Sequence, residues 1–295
     1  MVSPDAKRRA AVHAVGQGYS QRRSCKALGI GRSVARYKNQ KSSDEDLTAK
    51  IKELAGKKRR YGCKRIYQEL LRQGVVVNHK RVHRIWKSEG LSLRRRRAKK
   101  RSYGPKGEVK QRAERPGHVW TYDFVEDRTV SGGKLRILTV LDEFTRESLT
   151  LLVERHIPSS KVVETLKWLF LVHGAPEHIR SDNGPEFIAK ALQDWLAESG
   201  SKTIYITPGS PWENPFIESF NGKFRDECLN MEVFSNLAEA RIVIEDWRQE
   251  YNEERIHSSL GYLTPFEFAA HHRSENQLNP AKGAEGLIIV EEALT

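Results

Sequence analysis

Three carboxylates in the second half of the sequence are placed so that ordinary secondary structure can bring them together. Asp123 lies in the apolar-aromatic run Trp120-Thr-Tyr-Asp-Phe124, Asp182 directly follows a short β-like run at 178–181, and Glu218 falls on a helical stretch beginning near Pro215. Between Tyr122 and Phe124 an unpaired carboxylate is costly to bury. The Asn-Gly-Pro after Asp182 forms a turn that lets backbone approach a ligand. Carboxylate oxygens suit hard divalent cations. Two such ions supply what phosphodiester cleavage demands: neutralisation of a non-bridging oxygen, a deprotonated water and a stabilised leaving alkoxide. Taken singly, each residue has a plainer reading as turn former, salt-bridge partner or solvated helix residue, and Asp142, Glu143 and Glu186 compete with them on paper. The expectation rests on the combination, with Asp142, at the end of a strand, read as structural.

The elements that must position these groups follow from the hydrophobic pattern. From residue 118 onward, β-rich runs at 118–125, 135–141 and 148–153 predict an antiparallel meander, its first turn at Ser131-Gly132-Gly133. A helix over 159–173, a strand over 178–181, a helix over 186–199, a strand over 203–206 and a helix over 214–229 then alternate, followed by helical stretches at 237–254 and 265–273. This is an α/β core.

The first half of the chain is different. Residues 1–115 hold 34 Lys/Arg against 9 Asp/Glu, so the net charge of +13 divides into about +25 before residue 116 and about −12 after it. A basic half of this size reads as a polyanion-binding surface whose affinity falls steeply with salt. Residues 20–37 have a helix-turn-helix outline: Cys25 is the small residue at a close helix crossing, Gly29 suits a left-handed turn, and Arg32 to Tyr37 form the recognition helix. A second helical block spans 44–90. There Ile66, Leu70, Leu71, Val82, Ile85 and Trp86 recur at helical spacing as core, while Lys80, Arg81, Arg84 and Lys87 form a second basic helix. The run Arg94, Arg95, Arg96, Arg97 to Arg101 reads as a linker that also tracks phosphates. The expected organisation is helix-turn-helix at 1–42, a second DNA-binding unit at 43–92, a basic linker at 93–115, the core with its C-terminal helices at 116–274, and a tail at 275–295.

Cys25, Cys63 and Cys228 are odd in number and far apart, which encodes neither a disulfide framework nor a zinc site. No apolar run approaches a membrane span, and the first residues have no secretory signal. A cytoplasmic protein with no membrane partner is expected.

The segments around the three carboxylates carry a resemblance. Thirty-five residues separate Asp182 from Glu218, within Ile179-Arg-Ser-Asp-Asn-Gly-Pro-Glu-Phe187 and Pro211-Trp-Glu-Asn-Pro-Phe-Ile-Glu-Ser-Phe-Asn-Gly-Lys-Phe-Arg225. Together with Trp120-Thr-Tyr-Asp-Phe124, Tyr251-Asn252 and His257-Ser-Ser-Leu-Gly-Tyr-Leu-Thr-Pro265, they resemble the second-frame transposases of insertion-sequence family three, in the retroviral-integrase-like DDE superfamily. Arg59-Arg-Tyr-Gly-Cys-Lys-Arg-Ile66 and Val77-Asn-His-Lys-Arg-Val-His-Arg84 resemble the helix-turn-helix region upstream of that core. The resemblance covers nearly the whole chain and departs at Ile256, where such sequences often have Pro.

The resemblance implies a ribonuclease-H-like core, a mixed five-stranded sheet with helices on both faces, preceded by all-α DNA-binding units. It implies Asp123, Asp182 and Glu218 as catalytic residues and ligands of two Mg²⁺ (or Mn²⁺) ions. Water would free a 3′-hydroxyl at the element's end, and that hydroxyl would attack target DNA in the same site, with no covalent protein–DNA intermediate. Lys223 and Arg225 would touch the DNA backbone near the cut, alongside contacts from Arg32, Arg36, Lys80, Arg81, Arg84 and Arg94 to Arg97. The implied partners are double-stranded DNA, as terminal repeats and target, further copies of the chain on that DNA, and an upstream-frame product of the same element. A DNA-binding regulator without cutting and a ribonuclease acting on RNA–DNA hybrids are the competing readings. An intact carboxylate triad speaks against the first, and the two upstream helical blocks speak against the second.

Overall fold

A computed structural model describes residues 3–36, 44–92, 111–182, 184, 187, 189–207 and 213–278. The run Arg94 to Arg97, the acidic competitor Glu186 and the tail beyond residue 278 lie outside the described residues. The chain divides into two compact units, residues 1–57 and 58–295, so the boundary falls inside the block read from sequence as 43–92.

In the first unit, α1 (Pro4–Gly16), α2 (Gln21–Ala27) and α3 (Arg32–Arg36) form the expected small helical cluster, followed by α4 (Glu45–Lys57). Ser3 and Ser20 cap the first two helices, accepting from the Ala6 and Arg23 N–H groups. Cys25 is buried at 2% exposure. Gly29 takes φ +58° between α2 and α3, a left-handed turn that a Cβ would strain.

In the second unit, α5 (Cys63–Arg72) and α6 (His79–Ser88) bury Ile66, Leu70, Val82, Ile85 and Trp86. Leu71, read as core, is exposed. Ile66 and Leu70 are one turn apart and share the buried face, and the next residue is rotated about 100° away from it.

The sheet has the order β3-β2-β1-β4-β5. Strands β1 (Val119–Arg128), β2 (Lys134–Asp142) and β3 (Ser148–Glu154) form the antiparallel meander, and β4 (His178–Ser181) and β5 (Lys202–Tyr205) run parallel to β1. Alternation along β1 sends neighbouring side chains to opposite faces. Trp120 and Tyr122 pack with Leu138 and Val140 against α7 (Ser159–His173) and α8 (Lys190–Glu198). On the other face, Val125, Ile137 and Val153 pack against α9 (Pro215–Phe224) and α10 (Leu237–Glu253). The sheet is therefore mixed, five-stranded and covered on both faces, as expected.

Several boundaries differ from the sequence reading, β1 running on to Arg128 and the last helix to Leu278. α8 begins at Lys190 rather than 186, and the helix predicted over 214–229 is α9 followed by a π-helical turn, Arg225–Leu229. The last helix, α11, runs Pro265–Leu278.

Candidate active site

Asp123 is the half-buried member of the triad. Its place on β1 puts it on the face that packs against α9, and Asn221 of α9 donates to its Oδ2 at 2.8 Å. The Phe124 N–H donates to Oδ1 at 2.7 Å. Burial is the main reason its carboxyl is pushed up to about 6, and the negative charges of Asp182 and Glu218 add to the rise. Asp182 and Glu218 are thus close enough to act on the Asp123 carboxyl.

Asp182 is exposed at the end of β4, where its Oδ1 accepts the Gly184 N–H at 2.9 Å in a tight turn. Phe187 is buried against Tyr122 and stacked on Phe124, the two aromatic neighbours of Asp123, with ring centroids 4.8 Å apart for the stacked pair.

Glu218 is exposed in the first turn of α9, and partial burial raises its carboxyl. Pro215 sits at the helix start, where its missing N–H costs nothing. Ile217, Phe220 and Phe224 recur at helical spacing and bury the inner face. That spacing leaves Glu218, Asn221 and Arg225 together on another face. Arg225 donates to the Glu126 carbonyl at 3.1 Å, which braces this face of α9 on β1.

Among the described residues, no Lys or Arg is ion-paired with Asp123, Asp182 or Glu218. Asp123 and Asp182 accept from neutral donors only, and carboxylate oxygens are the ligands that hard divalent cations take, although among the described residues the oxygens of the three carboxylates are not gathered within 4.8 Å of one another. The competing acidic residues are otherwise engaged. Asp142 accepts the Phe144 and Thr145 N–H groups through Oδ1 and the Gly117 N–H through Oδ2. Glu143 is fully buried with its Oε1 3.0 Å from Arg180 Nε.

A second group of metal-ligand types, His118, Glu177 and His178, gathers its ligand atoms within 4.8 Å at the start of β1 and β4. The Glu114 N–H donates to His118 Nδ1, so the neutral ring carries its proton on Nε2, the atom turned toward Glu177. Arg115 also takes Glu177 at 2.6 Å. This arrangement is a hydrogen-bonded structural cluster.

Sequence reasoning missed two positioning residues. Arg180, adjoining Ser181-Asp182, is fully buried and donates to the Glu213 carbonyl at 2.7 Å and the Gln111 carbonyl at 2.6 Å. Asn214 is buried and accepts from Thr121 Oγ1 at 2.7 Å. Together they tie β4 and β1 to the chain entering α9. The available signal was an arginine inside an otherwise buried strand, a residue type rarely buried unless paired.

The predicted DNA-contacting residues have varied surroundings. Arg32 and Arg36 are exposed on α3, and Arg36 donates to Gln21. On α6, Lys80 and Arg84 are exposed and Arg81 is half-buried. Lys223 is half-buried on α9. Four basic residues preceding or on α5 face the core's own acids instead. Lys58 pairs with Glu250 and Glu254, Arg60 with Asp226, Arg65 with Glu227 and Arg72 with Glu267.

Residues 113–211 match a family described as an integrase core domain, residues 199–265 match a second family of the same description, and residues 42–99 match an HTH-like domain. The chain is 43% identical over 258 residues to the insertion element IS407 uncharacterized 31.7 kDa protein of Burkholderia multivorans, which covers 86% of this chain and 92% of that protein. It is 30% identical over 236 residues to the putative transposase InsK for insertion sequence element IS150 of Escherichia coli, covering 76% and 82%. Among solved structures, the HTLV-2 integrase catalytic core domain in complex with magnesium matches at a TM-score of 0.41 and 18% identity, over 54% of this chain and 99% of that one. The chain belongs to the insertion-sequence transposases with an integrase core, the DDE transposase/integrase enzymes that act on DNA. Among the described residues, no helix is long and apolar enough to cross a membrane.

Proposed function

We propose that Asp123, Asp182 and Glu218 are the catalytic carboxylates and hold two Mg²⁺ ions, with Mn²⁺ as a substitute, while the enzyme cuts the ends of its element and joins them to target DNA. The observation that carries this reading is the pairing pattern: the charges of Asp182 and Glu218 add to the burial that raises Asp123, and no Lys or Arg among the described residues is ion-paired with any of the three. Bound there, the ions would supply Lewis-acid charge neutralisation and lower the pKa of an attacking water. The chain's own residues fix the donors. Asn221 and the Phe124 amide orient Asp123, the turn at Gly184 orients Asp182, and Arg180 and Asn214 set the entry of α9.

The proposed reaction has two displacements at one site. Water attacks the phosphodiester at the element's end, breaking the P–O3′ bond and leaving a 3′-hydroxyl. That hydroxyl then attacks a target phosphodiester, forming a new P–O bond and releasing a target 3′-hydroxyl. No side-chain nucleophile is needed, so Ser181, Ser219 and Tyr122 are structural. Residues 1–42 and 43–92 are proposed to read the ends, with Arg32, Arg36, Lys80, Arg81 and Arg84 on DNA, the linker at 93–115 with Arg94 to Arg97 tracking phosphates, the core at 116–274 doing the chemistry, and Lys223 and Arg225 touching the strand near the cut. Bringing two ends together calls for more than one copy of the chain, and an upstream-frame product of the same element is a further proposed partner.

The test is cleavage of a labelled duplex carrying the element's own ends, with Mg²⁺, Mn²⁺ or EDTA. Nicking and joining by the parent, lost in EDTA and in Asp182→Ala and Glu218→Ala while those variants still bind DNA, is the expected result. Binding without cleavage by the parent in either metal would replace this reading with that of a DNA-binding regulator.

A further inference from the structure

The chain enters the core through residues 111–115, and Gln111, Glu114 and Arg115 are fastened to the starts of β1 and β4. The Gln111 side-chain amide lies 3.1 Å from His178 Nε2, the Glu114 N–H donates to His118 Nδ1 at 3.1 Å, and Arg115 pairs with Glu177 at 2.6 Å. The His118 and His178 rings meet edge to face with centroids 5.5 Å apart. The cluster of His118, Glu177 and His178 is therefore the anchor of a strap laid across two strands of the sheet.

Arg180 carries the effect of the strap further. Its guanidinium, fully buried on β4, donates through Nη2 to the Gln111 carbonyl at 2.6 Å and through Nη1 to the Glu213 carbonyl at 2.7 Å, while its Nε lies 3.0 Å from Glu143 Oε1. A guanidinium is planar and rigid, so one side chain fixes the distance between the two carbonyls it joins. Arg180 stands two residues before Asp182, and Glu213 stands five residues before Glu218. The strap, the strand that delivers Asp182 and the chain that delivers Glu218 thus share one buried cation. Losing either carbonyl would leave a charged N–H unpaired in the interior, a costly state that the surrounding chain shifts to avoid.

Gln111 is held in an unusual conformation for an exposed residue. Its backbone takes φ +55°, the left-handed region that a residue with a Cβ seldom occupies. Such a conformation persists where the surroundings over-determine it. Here the side-chain amide at His178 and the carbonyl at Arg180 do so from two sides. The spacing that results bears on the three carboxylates. The charges of Asp182 and Glu218 reach Asp123, yet the oxygens of the three are not gathered within 4.8 Å of one another among the described residues. How well they share a cation therefore depends on what sets β4 against α9.

We propose that Gln111 is a positioning residue: its carbonyl sets Arg180, and Arg180 sets the spacing of β4 and α9 at which Asp182 and Glu218 meet a divalent cation. The proposal rests on the reading of those carboxylates as the metal site, and Asp182→Ala tests that reading separately. Binding of Mn²⁺ alone to the full-length protein is followed by the electron paramagnetic resonance of the free ion, beside duplex affinity and single-turnover cleavage of the element's end. Gln111→Pro forces φ to about −65° and turns the carbonyl away from Arg180. It is expected to raise the Mn²⁺ concentration for half-saturation and to slow cleavage, each about tenfold, with duplex affinity within about twofold of the parent. Arg180→Lys keeps a charge beside Glu143 but loses the fork that spans two carbonyls, and is expected to act in the same direction. Gln111→Gly keeps the carbonyl and takes a positive φ freely, so it should stay close to the parent. A purely structural role would lower the urea midpoints of Gln111→Pro and Arg180→Lys and leave Mn²⁺ affinity and cleavage rate per folded molecule at parent values. That result would overturn the proposal, as would Gln111→Gly falling as far as Gln111→Pro. Equal Mn²⁺ binding by the parent and Asp182→Ala would instead remove the metal-site reading, and the proposal with it.

Discussion

Near the N-terminal end of α9, Asp123 feels the charges of Asp182 and Glu218 and, like Asp182, accepts from neutral donors; at the π-helical turn that ends the helix, Asp226 and Glu227 face Arg60, Arg65 and Arg255. The same side-chain chemistry has opposite electrostatic outcomes less than three turns apart. Repulsion and burial push Asp123 up to about 6. By contrast the Arg72 hydrogen bonds, with backbone help from Thr264, hold Glu267 of α11 at about 2. The difference teaches that within one acidic half-chain some carboxylates are neutralised by arginines and others are left with neutral donors. It also explains where much of the charge of the basic half goes. Lys58, Arg60, Arg65 and Arg72 serve the core's acidic residues, whereas Lys80 and Arg84 on the neighbouring α6 stay exposed.

The comparison breaks most visibly in activity. Asp123→Asn keeps the shape and the Asn221 contact but removes the charge, and is expected to lower end cleavage by on the order of a thousandfold in a gel assay, with duplex affinity roughly unchanged. Equal cleavage by this variant would place the chemistry elsewhere. At the other end of the helix, Glu227→Gln leaves Arg255 and Arg65 without their shared anion. A loss of about 3–5 kcal/mol in urea denaturation is expected, whereas Glu218→Gln should unfold at or above the parent's urea midpoint.

The pH dependence separates the two sets by sign. Asp123 has a folded pKa raised to about 6, above its ordinary 3.8. Its protonation therefore contributes stability that is fully present below about 4 and is lost as pH rises through about 6. At about 1.4 kcal/mol per unit this comes to roughly 2–3 kcal/mol. Asp123→Asn should accordingly exceed the parent's stability at pH 7–8 in metal-free buffer and match it near pH 4 (roughly, by the same linkage). Mg²⁺ protection against thermal unfolding should fade as pH drops through about 6, because the proton and the metal compete for one carboxylate. Glu267 behaves oppositely: its depressed pKa contributes stability above the usual carboxylate range that is lost as pH falls through about 2. Being largely exposed, the Arg72–Glu267 pair contributes under about 1 kcal/mol, so Arg72→Met should shift the urea midpoint only slightly at neutral pH.

Much of the sheet was legible because alternation on β1 to β3 and short apolar runs at β4 and β5 have few other interpretations. Gly29 was legible for a similar reason, since a left-handed turn between two helices selects that residue. The failures are local. Leu71 reads as core because it is apolar, yet only the angular position of Ile66 and Leu70 decides which face α5 buries. The helix over 214–229 reads as continuous, yet the register changes to a π turn at Arg225, where the side chains of Asp226 and Glu227 meet arginines from α5 and after α10. Arg180 and Asn214 were passed over because their role lies in partners 33 to 93 residues away, and such pairings leave no local pattern.

The sequence by itself determined the alternation of strands and helices, the split of charge along the chain, and which carboxylates sit at strand ends and on a helix face. These depend on periodicities of two and 3.6 residues and on local turn chemistry. Only the tertiary structure decided which acids are neutralised and which are left open, and which basic side chains turn inward to the core. Those outcomes depend on distances between residues far apart in the chain, and Coulombic energies are set by distance and burial in the folded molecule.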